Sequence, residues 1–69
     1  MSLVFKADIS ALKRAILLQN VNQSALSQKA GVTPATVQRV LKGKPCNVGT
    51  ANKLSEALRM PVAELFTCD

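Results

Sequence analysis

Gln23-Ser24-Ala25-Leu26-Ser27-Gln28-Lys29-Ala30-Gly31-Val32-Thr33-Pro34-Ala35-Thr36-Val37-Gln38-Arg39-Val40 is the stretch that decides the fold. Leu26 and Ala30 are four apart and share one face of a helix. Gly31 then breaks the pattern, where a residue without a Cβ enters the left-handed region at least cost. Thr33 and Pro34 restart it. A threonine hydroxyl caps the free N–H groups of a first turn, and proline at the first helical position gives up an N–H that had no partner anyway. Val37, Val40 and Leu41 follow at helical spacing and face inward together. Val21 and Leu26 have the spacing of a hydrophobic staple across an Asn22 cap, and Val32 and Val37 repeat it across Thr33. The stretch therefore predicts two short helices joined by a very short turn, which forces a sharp angle between them.

Working outward, the same signals recur. Upstream, Asp8 is placed to cap a helix from Ile9 to about Gln19, with Ile9, Leu12, Ile16 and Leu17 on its inner face and Asn20 as its stop. Downstream, Gly43 ends the third helix and Lys44-Pro45-Cys46 forms a loop. Asn47 caps a fourth helix that buries Val48, Ala51, Leu54 and Leu58; Gly49 near its start costs some stability. Pro61 opens a short fifth helical turn holding Val62, Leu65 and Phe66. The apolar spacing is helical between all these breaks, so the expected fold class is all-α, a compact five-helix bundle. Its 69 residues make one small domain, 1–69, without repeat or linker.

Composition removes several function classes. There is no His, so imidazole acid–base catalysis and the commonest zinc ligand are absent. Two Cys without His would need two carboxylates to complete a zinc site. No metal or other cofactor is expected. The two Cys are expected as free thiols rather than as a bridge. The acids are widely separated and no Ser or Cys has a base partner, so catalysis is not expected. Aromatics are 3% of the chain, which all but excludes a stacking platform for single strands. No apolar run approaches a membrane span, and Met1-Ser2-Leu3-Val4-Phe5 is too short for a leader, so no membrane partner is expected.

The charges are segregated. From Ile9 to Ser55 there are seven basic residues, Lys13, Arg14, Lys29, Arg39, Lys42, Lys44 and Lys53, and no acid; the net charge is +5. A central block of one sign suits a polyanion partner.

A sharp two-helix unit inside a basic block is the helix-turn-helix arrangement, whose second helix can enter the DNA major groove. Residues 23–40, with the tail Leu54-Ser55-Glu56-Ala57-Leu58-Arg59-Met60-Pro61-Val62-Ala63-Glu64-Leu65-Phe66, resemble the Cro/C1-type (XRE-like) regulators. The likeness runs from about Ile9 to Phe66, with the motif at about 23–42. It implies a lambda-repressor-like bundle that binds double-stranded DNA. Ser27 stands where the family usually has Ala, still small enough for a tight crossing. Leu41 stands where many members carry Glu, so that polar contact is expected to be missing. The chain ends three residues after Phe66, and no appended sensor or oligomerisation domain is expected.

Candidate contacts follow from helix geometry. At about 100° per residue, Ala35, Gln38, Arg39 and Lys42 point away from Val37, Val40 and Leu41. Arg can bond both acceptors of a guanine edge, Gln can read adenine, and Ala can touch a thymine methyl. The base-contact set is Pro34, Ala35, Thr36, Gln38 and Arg39. The phosphate set is Gln23, Thr33, Lys42, Lys44, Asn47 and Thr50, because helix N-termini and cations favour an anion. Gln23 also matches a family position that commonly contacts the DNA backbone.

The expected function is a sequence-specific DNA-binding transcriptional regulator of prokaryotic, phage or mobile-element type, acting in the cytoplasm as a repressor. Two other readings are an antitoxin that regulates its own promoter and a helical interaction module without DNA binding. Helix-turn-helix proteins commonly work as two-fold dimers. The fifth-helix region, Val62, Leu65 and Phe66, is the expected homodimer surface, with one of the last two side chains left outside.

Overall fold

Four helices begin at the capping side chains read in the sequence. Asp8 accepts from the Ala11 N–H before α1 (Ile9–Leu18), and Asn22 from the Ala25 N–H before α2 (Gln23–Ala30). Thr33 accepts from the Thr36 N–H before α3 (Pro34–Leu41), and Asn47 from the Thr50 N–H before α4 (Val48–Ala57). These bonds are 3.2, 2.7, 3.2 and 2.8 Å long. Each removes an orphan donor and contributes about 1 kcal/mol. The short α5 (Val62–Leu65) follows Pro61. This computed structural model describes residues 4–68. Met1-Ser2-Leu3, most of the start read as too short for a leader, and Asp69 lie outside the described residues.

The four longer helices also end alike. Val21 N–H bonds Ile16 O, Val32 bonds Ser27, Lys44 bonds Arg39 and Met60 bonds Ser55, at 3.0–3.3 Å. This is the Schellman closure, which needs a left-handed residue just past the helix. Asn20, Gly31, Gly43 and Arg59 supply it, with φ of 54°, 72°, 86° and 57°. Gly31 meets the demand without strain; Arg59 has a Cβ and does not. Arg59→Gly is therefore expected to stabilise the domain by about 0.5–1 kcal/mol, the left-handed relief exceeding the added freedom of the unfolded chain. A urea midpoint that falls instead of rising would contradict this.

The core is Leu12, Ala15, Leu26, Ala30, Val37, Val40, Ala51, Leu54, Leu58, Leu65 and Phe66. α2 packs on both α3 and α4, and α1 on α3 and α5. Val21 and Val32, the staple residues, lie half-buried against this core. Ser27 is buried in α2, and its hydroxyl donates to Ser24 O at 2.7 Å. Gln19 Nε2 donates to Leu58 O at 2.8 Å and ties the ends of α1 and α4 together.

Three sequence expectations need correction. First, the chain is not all helix: β1 (Phe5–Ala7) pairs antiparallel with β2 (Phe66–Cys68), Ala7 opposite Phe66 and Phe5 opposite Cys68. Phe5 also exchanges two 2.8 Å backbone bonds with Cys46 on its other side. The two cysteines thus flank β1, about 9–10 Å apart by strand spacing, too far to bridge. Neither is in a disulfide.

Second, the backbone leaves the helix after Leu65, with Phe66 extended at φ −135°, ψ 150°. The helical angle between neighbours no longer applies, and both side chains turn inward, Leu65 0% and Phe66 3% exposed. The surface expected for a homodimer is consumed by the monomer core, and Val62 is half-buried against the same core. Third, Leu17 and Val48 lie outside the core, at 80% and 45% exposure. α1 buries Leu12 and Ala15 instead, and α4 buries Ala51 and Leu54.

Candidate nucleic-acid interface

Burial of Val37 and Val40 fixes the rotation of α3 about its axis. The opposite face is therefore presented outward: Pro34, Ala35, Gln38, Arg39 and Lys42 are all exposed. Thr36 sits at the side of that face, half-buried. Its hydroxyl lies 2.9 Å from the Thr33 hydroxyl, so the two share one hydrogen bond and constrain each other.

Thr36, Arg39, Val40, Pro45, Cys46, Asn47 and Thr50 line one cleft between α3 and the start of α4. Four of the eleven candidates thus come together, two from the base set and two from the phosphate set. Arg39 is the charged residue among those lining it. Asn47 caps α4 through Oδ1, which leaves its Nδ2 donors outside the cap. The unsatisfied N–H groups at the start of α4 add a positive dipole end at the same place.

The other candidates lie elsewhere. Gln23 opens α2 and borders a separate groove with Lys13, Ile16, Leu17 and Leu41. Leu41, where many members of the family carry Glu, packs half-buried against the core. Lys42 and Lys44 are exposed just past the end of α3. The Lys44 N–H is held by Arg39 O at 3.0 Å, so the chain folds back beside the exposed face of α3.

Sequence reasoning missed Pro45 and Cys46 as cleft walls. Cys46 is positioned by the backbone of Phe5, a pairing that no local pattern announces. Burial pushes the Cys46 thiol above its ordinary range, so at neutral pH it is an uncharged wall of the cleft. Among the described residues, no cluster of three His, Cys, Asp or Glu is arranged to hold a metal ion. None of their helices is long and apolar enough to cross a membrane.

Two helices joined through a left-handed glycine, the second carrying an outward amide and guanidinium, define a helix-turn-helix domain. The chain belongs to the Cro/C1-type helix-turn-helix DNA-binding domain family, whose model matches residues 11–69. Among solved structures, the transcriptional regulator VanUg (crystal form II) is similar, with a TM-score of 0.73 at 12% identity. The superposition covers 100% of this chain and 89% of that one. At this identity the likeness concerns the fold alone. No curated protein sequence matches the chain.

Proposed function

We propose that the protein binds double-stranded DNA sequence-specifically and regulates transcription, as a repressor that occludes its site. The observation that carries this reading is the cleft where Thr36 and Arg39 of α3 meet Asn47 and Thr50 of α4. A helix laid in the major groove there has Arg39, Gln38 and the small Ala35 toward base edges, with Pro34 and Thr36 beside them. The α4 start, through Asn47 and Thr50, holds one neighbouring phosphate. Gln23 and Thr33, at the starts of α2 and α3, with Lys42 and Lys44, hold others. Nothing in this reading requires catalysis or a cofactor, and its site of action is the prokaryotic cytoplasm, where the DNA is.

Arg39→Ala and Lys42→Ala separate base reading from phosphate holding. Loss of Arg39 is expected to cost roughly 1–3 kcal/mol on the cognate duplex and much less on a scrambled one. Loss of Lys42 is expected to weaken both duplexes alike. Fluorescence anisotropy on both sequences reads the difference. Equal losses on the two duplexes for Arg39→Ala would remove it from base recognition.

A further inference from the structure

The last turn of α1 carries two leucines that the fold leaves in water, Leu17 at 80% and Leu18 at 78% exposure. They are not isolated apolar residues. Leu17 borders a groove shared with Ile16 of the same helix, Leu41 at the end of α3, Lys13, and Gln23 at the start of α2. Ile16 and Leu41 are half-buried, so their outer sides continue the apolar strip that Leu17 begins. Lys13 and Arg14 lie one helical turn before Leu17 and Leu18, on the same side of α1. The strip is therefore apolar with a basic edge, in a stretch of chain, Ile9 to Ser55, that has no acid.

We propose that this strip docks an acidic amphipathic helix of a partner protein. A helix with leucines at positions i, i+4 and i+7 covers Leu17, Ile16 and Leu41, in the manner of a helix laid in a groove. Glutamates beside those leucines face Lys13 and Arg14. Charge decides against a second copy of this chain: a two-fold contact brings the same patch from both copies together, and the stretch that holds the strip, Ile9 to Ser55, has no acid to pair with Lys13 and Arg14.

The location gives the docking a regulatory consequence, which rests on the DNA-binding reading above. Gln23, proposed there to hold a phosphate, is a wall of the groove, and Leu41 directly precedes Lys42, proposed to hold another. A helix seated on the strip covers this edge of the DNA-binding face, so partner and duplex exclude each other.

The test uses a labelled synthetic helical peptide with leucines at i, i+4 and i+7 flanked by glutamates. A scrambled peptide of the same composition is its control. Binding is read on the full chain and on the double variant Leu17→Gln, Leu18→Gln. Both positions are exposed and neither belongs to the proposed DNA contacts, so folding and duplex affinity are expected to be unchanged. The variant is expected to bind the ordered peptide about tenfold more weakly or worse, and the scrambled peptide to bind the wild type no better than the variant binds the ordered one. Equal peptide affinity for wild type and variant would overturn the proposal. So would no peptide binding, and self-association of the wild type that the variant loses would then assign the strip to a second copy. Duplex competing off the peptide supports the exclusion, and a ternary complex of peptide, protein and duplex contradicts it. Peptide affinity is measured without DNA, so a chain that binds no duplex would end the DNA reading and leave the docking result standing.

Discussion

Leu26→Ala is expected to remove most of the stability of the domain. Leu26 is 0% exposed, in the helix α2 that packs on both α3 and α4. Truncating a fully buried leucine loses its transfer energy and leaves a cavity, together about 2.7–5 kcal/mol. At roughly 0.05–0.15 kcal/mol per residue, a domain of this length holds only about 3–10 kcal/mol in total. Leu18→Ala makes the same chemical change at a position 78% exposed, and is expected to alter stability by less than about 0.5 kcal/mol. Urea unfolding followed by circular dichroism compares the two. A shallow or missing transition for Leu26→Ala beside a wild-type transition for Leu18→Ala is the expected result. Similar midpoints for both variants would mean that the core is not the one described.

The second large effect concerns salt. Of the residues proposed to touch phosphate, only Lys42 and Lys44 carry charge. Gln23, Thr33, Asn47 and Thr50 can bond a phosphate without neutralising it. Counterion release counts neutralised phosphates, so each bound chain is expected to show a slope of log affinity against log salt of about −1.8, from two phosphates at about −0.9 each. Affinity then falls about twelve-fold between 50 and 200 mM salt. Lys42→Ala with Lys44→Ala is expected to bring the slope close to zero, whereas Asn47→Ala weakens binding and leaves the slope nearly unchanged. A slope that ignores the lysine pair would place the phosphate contacts elsewhere on the surface.

What was legible in the sequence was what is local. Asp8, Asn22, Thr33 and Asn47 act within three residues of themselves, so each helix start could be read from its own neighbourhood. The turn at Gly31 and the inward face Val37–Val40 were legible for the same reason, and with them the outward set of α3. The strand pair was not. Lys6 and Thr67 meet across 61 residues, and three-residue strands carry too little alternation to announce themselves. That one omission misplaced Phe66, because a helical angle was applied where the backbone had already become extended. It also hid Cys46, whose place in the cleft wall depends on β1. Leu17 was misjudged differently: it lies within the apolar run Ala15-Ile16-Leu17-Leu18, where helical spacing alone does not say which side the neighbouring elements cover. The left-handed Arg59 left no signal, since the usual marker there is glycine or asparagine.

Selection of bound fragments from random duplex DNA, run in parallel with wild type and Arg39→Ala, tests the central claim most directly. The wild type is expected to retain duplex in a salt-sensitive way and to enrich one common sequence. Arg39→Ala is expected to enrich the same sequence with one position relaxed, the one that Arg39 reads. Failure of the wild type to retain duplex, or retention with no common sequence among the fragments, would contradict sequence-specific DNA binding by this domain.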